Sequence, residues 1–162
     1  MDFDAEVLLT RDWHMNFGGL FDSAVFTDYV GCPTGAPGGG VPVVIGNCTD
    51  KQLPLASKRT FNVASDYTLH VGDGALGAHV GAYVNSGFYT EPDNNIHQSG
   101  FVQFDASLRY NFARHGLYIE GYGRNLSNRR VITFGGTEST GVQNVLYAEP
   151  RIYGILFGVA LP

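Results

Sequence analysis

From Phe101 to Phe112 the chain reads FVQFDASLRYNF, and every even position (Val102, Phe104, Ala106, Leu108, Tyr110, Phe112) is apolar or aromatic. Of the odd positions only Phe101 is not polar. With 44% apolar residues in the whole chain, six such hits in a row arise by chance in about 0.7% of windows, so the period of two marks a strand with one greasy and one wet face. The stretch runs for twelve residues. Strands of soluble domains average about 5–6, whereas a tilted strand needs about 9–11 to cross a bilayer.

The same alternation predicts six further strands, over residues 2–10, 13–25, 60–71, 76–85, 117–125 and 153–161, and no segment holds a helical period. The 13–25 stretch is the noisiest, with Leu20 and Phe26 out of phase. Connections alternate in length. Residues 10–12, 72–75 and 113–116 are tight turns, the second with the Asp73-Gly74 pair that favours a type I′ hairpin. Residues 29–57, 88–100 and 128–148 are long and rich in Gly, Pro, Asn and Thr. Short turns on one rim and long loops on the other describe an antiparallel up-and-down meander of about seven long strands.

Turn positions fix registers. A hairpin centred on residues 114 and 115 sets Arg109 opposite Glu120 and Asp105 opposite Arg124 on the polar face, and Tyr110 opposite Ile119 on the other. Charge meets opposite charge and apolar meets apolar, an agreement that a one-residue slip would destroy. Centring the other hairpin on Asp73-Gly74 sets Tyr67 opposite Val80, Leu69 opposite Ala78 and Thr68 opposite His79.

Alternation alone does not separate an outward lipid face around a wet lumen from a soluble sandwich or small barrel with an apolar interior. Strand length favours lipid, as do aromatic residues near strand ends (Trp13, Tyr67, Phe101, Tyr110, Phe112, Tyr153) and a polar face carrying charges, amides and glycines. A mean hydropathy of −0.04 agrees, since a barrel averages its two faces. Single-chain bacterial barrels use an even number of strands from about 8 upward. Seven leave two unpaired edges, and an orphan backbone group in hydrocarbon costs several kcal/mol. The chain is therefore expected to be part of a longer barrel. MDFDAEVLL also lacks the basic, apolar and small-residue regions of a secretory signal.

Three stretches resemble the TonB-dependent outer-membrane receptors: FDAEVLLTRDWHMNFGGLFDSAVFTDY at residues 3–29, LPLASKRTFNVASDYTL at 53–69 and FVQFDASLRYNFARHGLYIEGYGRNLSNRR at 101–130. Gly123-Arg124-Asn125-Leu126-Ser127-Asn128 looks like the motif that ends the family's penultimate strand. Glu149-Pro150-Arg151-Ile152-Tyr153-Gly154 looks like the entry to its last. The resemblance implies that residues 1–162 are the C-terminal segment of a 22-stranded transmembrane β-barrel in the bacterial outer membrane, a partial barrel domain with the plug domain and N-terminal strands absent. It implies uptake of siderophore-iron or other scarce nutrients, with outer-membrane lipid, the absent strands and plug, the TonB complex through that plug, and a small-molecule ligand such as an iron chelate as partners. The chain's Val159-Ala160-Leu161-Pro162 ending departs from the family's aromatic terminus. A small autonomous β-barrel that binds an apolar ligand or anchors in the membrane is the alternative.

Cys32 and Cys48 share the 29–57 loop among Gly and Pro. On an oxidising outer side a disulfide would restrict the unfolded loop by about 3 kcal/mol; two free thiols are the other reading. Asp105, Arg109, Glu120 and Arg124 form a candidate luminal charge ladder, and Tyr29, Tyr89, Asn94, Asn95, His97 and the 135–147 segment are candidate loop contacts to ligand. His14, His70, His79, His97 and His115 form no HExxH, and no GxSxG elbow is present, so neither a metal site nor an enzyme is expected. His70 and His79, with Asp66 nearby, are expected on one polar face. Asn47-Cys48-Thr49 and Asn125-Leu126-Ser127 match a glycosylation acceptor that a bacterial setting voids. Gly38-Gly39-Gly40 lacks the lysine of a phosphate cradle. Fifteen acidic against ten basic residues give −5, which argues against nucleic acid as partner. No cofactor is expected.

Overall fold

The computed structural model describes residues 1–113 and 116–159. Eleven strands follow one another: β1 Asp2–Thr10, β2 Trp13–Phe21, β3 Val30–Thr34, β4 Val44–Asn47, β5 Arg59–Val71, β6 Gly74–Tyr89, β7 His97–Asn111, β8 Leu117–Arg124, β9 Ile132–Thr137, β10 Gln143–Tyr147 and β11 Ile152–Val159. Seven of them make one antiparallel sheet in the order β1-β2-β5-β6-β7-β8-β11. These are the seven strands that the alternation predicts. The sheet does not close, and β1 and β11 are its two edges.

The registers keep the two faces in phase across all seven strands, so that one face is lined almost throughout by apolar residues and glycines, with Ser65 a polar exception. One row runs Phe3, Gly19, Phe61, Val84, Val102; another runs Trp13, Tyr67, Ala78, Leu108, Gly121, Ile155. This face is open. Phe104 is 44% exposed, Leu108 52% and Phe157 77%. Trp13 packs edge-on against Tyr67, and Tyr110 against Phe112, near the short-turn rim. Phe101 does not belong with these rings: it pairs with Asn85 on the polar face and is buried beside Tyr83. Among the described residues the buried apolar side chains are Cys32, Cys48, Phe88, Ile96, Phe101 and Ile132. All lie toward the long-loop rim, so the sheet itself has no apolar interior.

The β7–β8 register is the predicted one: Arg109 faces Glu120, Tyr110 faces Ile119, and the Phe112 amide donates to the Leu117 carbonyl. Residues 114 and 115, on which that prediction was centred, lie outside the described residues. The ladder ends at Ala106–Gly123, one step short of the predicted Asp105–Arg124 couple. The Asp105 carboxylate instead accepts the Asn125 N–H at 2.7 Å, because the chain turns away there with Asn125 at φ 48°.

The β5–β6 register differs from the prediction by two residues. Tyr67 faces Ala78, Leu69 faces Leu76 and Asp66 faces His79. The two-residue turn is Gly72-Asp73, flanked by the Val71–Gly74 pair, and Gly72 takes φ 59° whereas Asp73 stays negative. A positive φ at the first turn position alone is the type II′ choice, for which Gly is needed there. A shift of two preserves the faces.

The expected loops hold strand that the alternation did not predict. β6 and β7 extend to Tyr89 and from His97, which leaves only residues 90–96 as connection. β3 pairs with β4 and β9 with β10 as separate hairpins, while β2 stops at Phe21 and Val25 makes an isolated bridge to Gln52.

Candidate functional site

The polar face of the sheet carries one ionisable row straight across four strands. His14 on β2 stands beside Asp66 on β5, which stands beside His79 on β6, followed by Ser107 on β7. His79 Nδ1 and Asp66 Oδ1 are 2.7 Å apart, and His14 lies 3.9 Å from Glu6 of β1. His70 pairs with Ala75, two steps nearer the turn. One row toward the short-turn rim, the Arg109 guanidinium lies 4.0 Å from the Glu120 carboxylate, donates to Asn111 at 2.9 Å and sits 3.6 Å over the Tyr118 ring. Arg124 lies 5.4 Å over Tyr122. These side chains line two adjoining hollows of about 270 and 280 Å³, with Asp66, His79 and Arg109 in one and Asp105, Glu120 and Arg124 in the other. Among the described residues no group of three His, Cys, Asp or Glu has the geometry to hold a metal ion.

At the opposite rim the three long connections lock into one cap. Asp93, only 5% exposed, accepts the Gly35 N–H at 2.8 Å, and Asn95 donates to the Gly35 carbonyl at 2.6 Å. That ties the 90–96 connection to the β3–β4 hairpin. Glu91 holds the other side, accepting both the N–H and the hydroxyl of Thr137 in β9. The two hairpins also meet directly, through Gly40 N–H to Gly141 carbonyl at 2.9 Å and Val43 N–H to Ser139 carbonyl at 3.0 Å. Cys32 and Cys48 are bridged across β3–β4 with Cα atoms 6.0 Å apart, and both are fully buried.

The candidate loop residues fall into two groups. Asn94, at φ 59°, spends its amide on both backbone groups of Gln52 at 2.9 Å, and the Asn95 amide is spent on Gly35 and Asp93. Tyr29, Tyr89 and His97 stay partly accessible: Tyr89 packs at a tilt against His97 with ring centres 4.7 Å apart, and Tyr29 against Phe26 at 4.9 Å. The 135–147 segment is largely the β9–β10 hairpin.

Sequence reasoning did not single out Glu91 or Asp93, and it placed Asn125 in a motif without giving it a role. Asn125 donates to the Arg129 and Glu149 carbonyls at 2.9 and 3.2 Å and accepts the Arg129 N–H at 2.9 Å. An amide with every group satisfied inside a turn explains why that motif needs Asn. A left-handed residue followed by Leu-Ser-Asn was the available signal.

A family profile described as "TonB dependent receptor-like, beta-barrel" matches residues 4–145. The chain belongs to this TonB-dependent receptor β-barrel family. Members of that family are transporters rather than enzymes. Solved structures agree on the fold. The ferric yersiniabactin uptake receptor FyuA from Yersinia pestis superposes with a TM-score of 0.72 over 95% of this chain and 22% of its own, at 17% identity. The siderophore receptor PiuA from Acinetobacter baumannii gives 0.71 over 96% and 20%, at 20% identity. BauA, the ferric preacinetobactin receptor of the same organism, gives 0.53 over 91% and 22%, at 14% identity. No curated protein matches the chain. This stretch of TonB-dependent receptor barrel thus spans about a fifth of the length of the receptors it superposes on.

Proposed function

We propose that the chain is barrel wall and loop cap of an outer-membrane TonB-dependent receptor that takes up siderophore-iron or another scarce nutrient. The observation that carries this is the apolar face that runs across seven strands in a member of that family. In lipid such a face needs no cover, whereas in water it would leave Phe104, Leu108, Ile155 and Phe157 stranded. The short turns then face the periplasm and the cap faces outward.

Two further readings rest on the open sheet. The edges β1 and β11 present unpaired backbone groups, which favours partner strands from the rest of a barrel over an autonomous small barrel. The polar face, with its His14–Asp66–His79 row and Arg109–Glu120 pair, would line the lumen and meet a plug domain, through which TonB would act. The cap supplies ligand contacts from Tyr29, Tyr89 and His97, with Asn94 and Asn95 holding the loops that present them.

The test is uptake of radiolabelled ferric chelates by iron-starved cells with and without the receptor. Uptake that requires the receptor and stops when the inner membrane is de-energised supports the reading. Equal accumulation in both strains across a panel of chelates and other scarce nutrients overturns it.

A further inference from the structure

The segment that leads from the cap into β5 runs beside the outer ends of β6 and β7, joined to them by the Leu55 N–H to the Tyr89 carbonyl at 2.7 Å. Between them lies a cleft of about 190 Å³ whose walls include Gln52, Lys58, Arg59, Ser86, Tyr89 and His97. No carboxylate lines it. Among the described residues neither Lys58 nor Arg59 forms an ion pair, although the chain as a whole carries −5. Two unpartnered cations side by side in an acidic protein create a local positive field that draws anions.

The frame of the cleft is held from behind. The Ser86 hydroxyl accepts the Arg59 N–H at 3.0 Å, which leaves its own proton to donate. Asn94 clamps both backbone groups of Gln52. Asn85, 6% exposed, takes the Ser57 hydroxyl at 3.0 Å and the Gly87 N–H at 2.7 Å. The His97 ring packs against Tyr89, ring centres 4.7 Å apart. Donors positioned before a ligand arrives lose less freedom when it binds.

We propose that this cleft binds an oxyanion, a carboxylate or phosphate group carried by a small solute, with Lys58 and Arg59 supplying charge and the Ser86 and Tyr89 hydroxyls donating hydrogen bonds. Drug-sized sites occupy about 300–1,000 Å³, so the cleft takes one acidic arm of a ligand rather than a whole chelate. The inference rests on the cap's proposed role in ligand capture.

Citrate is the probe, titrated calorimetrically into the intact receptor in detergent. Binding is saturable, weakens with added salt, and falls about tenfold or more in the Lys58→Met/Arg59→Gln double variant, the loss expected for charge-assisted hydrogen bonds. Lys51→Met, outside the cleft, leaves it unchanged. Circular dichroism checks the fold of each variant; if the double variant does not fold, Lys58→Met alone gives the same reading at smaller amplitude. Equal citrate affinity in wild type and double variant overturns the proposal. So does a variant that loses binding only to phosphatidylglycerol vesicles, which would assign the cleft to a lipid headgroup. Uptake retained with citrate binding indifferent to the variant sinks the cleft alone; uptake absent with the citrate result as expected sinks the transport reading alone.

Discussion

Arg109 lies over the ring of Tyr118, the guanidinium carbon 3.6 Å from the ring centre, while the Glu120 carboxylate that pairs with Arg109 stays 4.0 Å away. Arg109 is 40% exposed and Glu120 21%, so solvent screens the ion pair and the stacked ring carries more of the arginine's worth. Glu120→Gln is expected to cost under about 0.5 kcal/mol, and Arg109→Ala about 1 kcal/mol or more, since it also removes the ring contact and the bond to Asn111. Denaturant unfolding of the receptor in micelles reads the order. A larger loss for Glu120→Gln would put the ion pair first.

Tyr118 and Tyr122 of β8 lie flat on Gly158 and Gly154 of β11, their cross-strand partners, so that an added Cβ at either glycine would run into the ring. Gly158→Ala is expected to destabilise by about 1–3 kcal/mol through overpacking. In the Tyr118→Ala background that penalty should shrink, because the methyl then has room. A double-mutant cycle measures the coupling, and strict additivity would show that ring and glycine do not touch.

Val80 sits mid-sheet on the apolar face and Gln103 on the polar one. Val80→Arg is expected to cost about 2–4 kcal/mol of folding stability in a bilayer, and Gln103→Arg about 0–1 kcal/mol. Folding yield in lipid vesicles, read by the heat-modifiable shift on a gel, separates the two. The reverse order would place water on the Val80 side.

The Cys32–Cys48 bridge closes a loop with a sequence separation of 16, for which chain entropy gives a stabilisation of about 3 kcal/mol. Reduction, or Cys32→Ser, should open the β3–β4 hairpin to protease while the seven-stranded sheet keeps its heat-modifiability. Cleavage within residues 35–43 is the site to watch. An unchanged digestion pattern after reduction would make the bridge dispensable to the cap.

Asp93→Ala removes the acceptor of the Gly35 N–H and of the Asn95 amide inside a buried site, which leaves donors unpaired at about 1–3 kcal/mol. Hydrogen exchange of the Gly35 amide should quicken by at least tenfold, in line with about 1.4 kcal/mol, with exchange in β5 and β7 unaltered. Acceleration throughout the sheet would show that cap and wall open together.

The seven wall strands were legible because one rule holds at every second residue, and Phe104, Leu108 and Phe157 obey it without reference to any neighbour. The β7–β8 register was legible because Arg109 and Glu120 announce it. The β5–β6 register was not: Gly72 and Gly74 both permit a turn, and faces survive a shift of two, so polarity could not choose between them. β3, β4, β9 and β10 went unread for a different reason. VGCPT and VIGN carry no sustained alternation, and their pairing depends on a disulfide and on Asp93 and Glu91, distant in sequence. The polar face shared by Asp66 and His79 was legible, but their side-by-side pairing, with His14 beside Asp66, became visible only once the registers were known.

The molecule answers to two solvents at once. On the proposed reading oil selects the wall, which has nothing inside it to protect, while Phe88, Ile96 and Ile132 of the cap are buried from water as the heart of an ordinary small protein is. On that reading the two halves would change independently: a cap exchanged between receptors at residues 22–58, 86–100 and 125–151 would carry its own packing with it and leave the wall undisturbed.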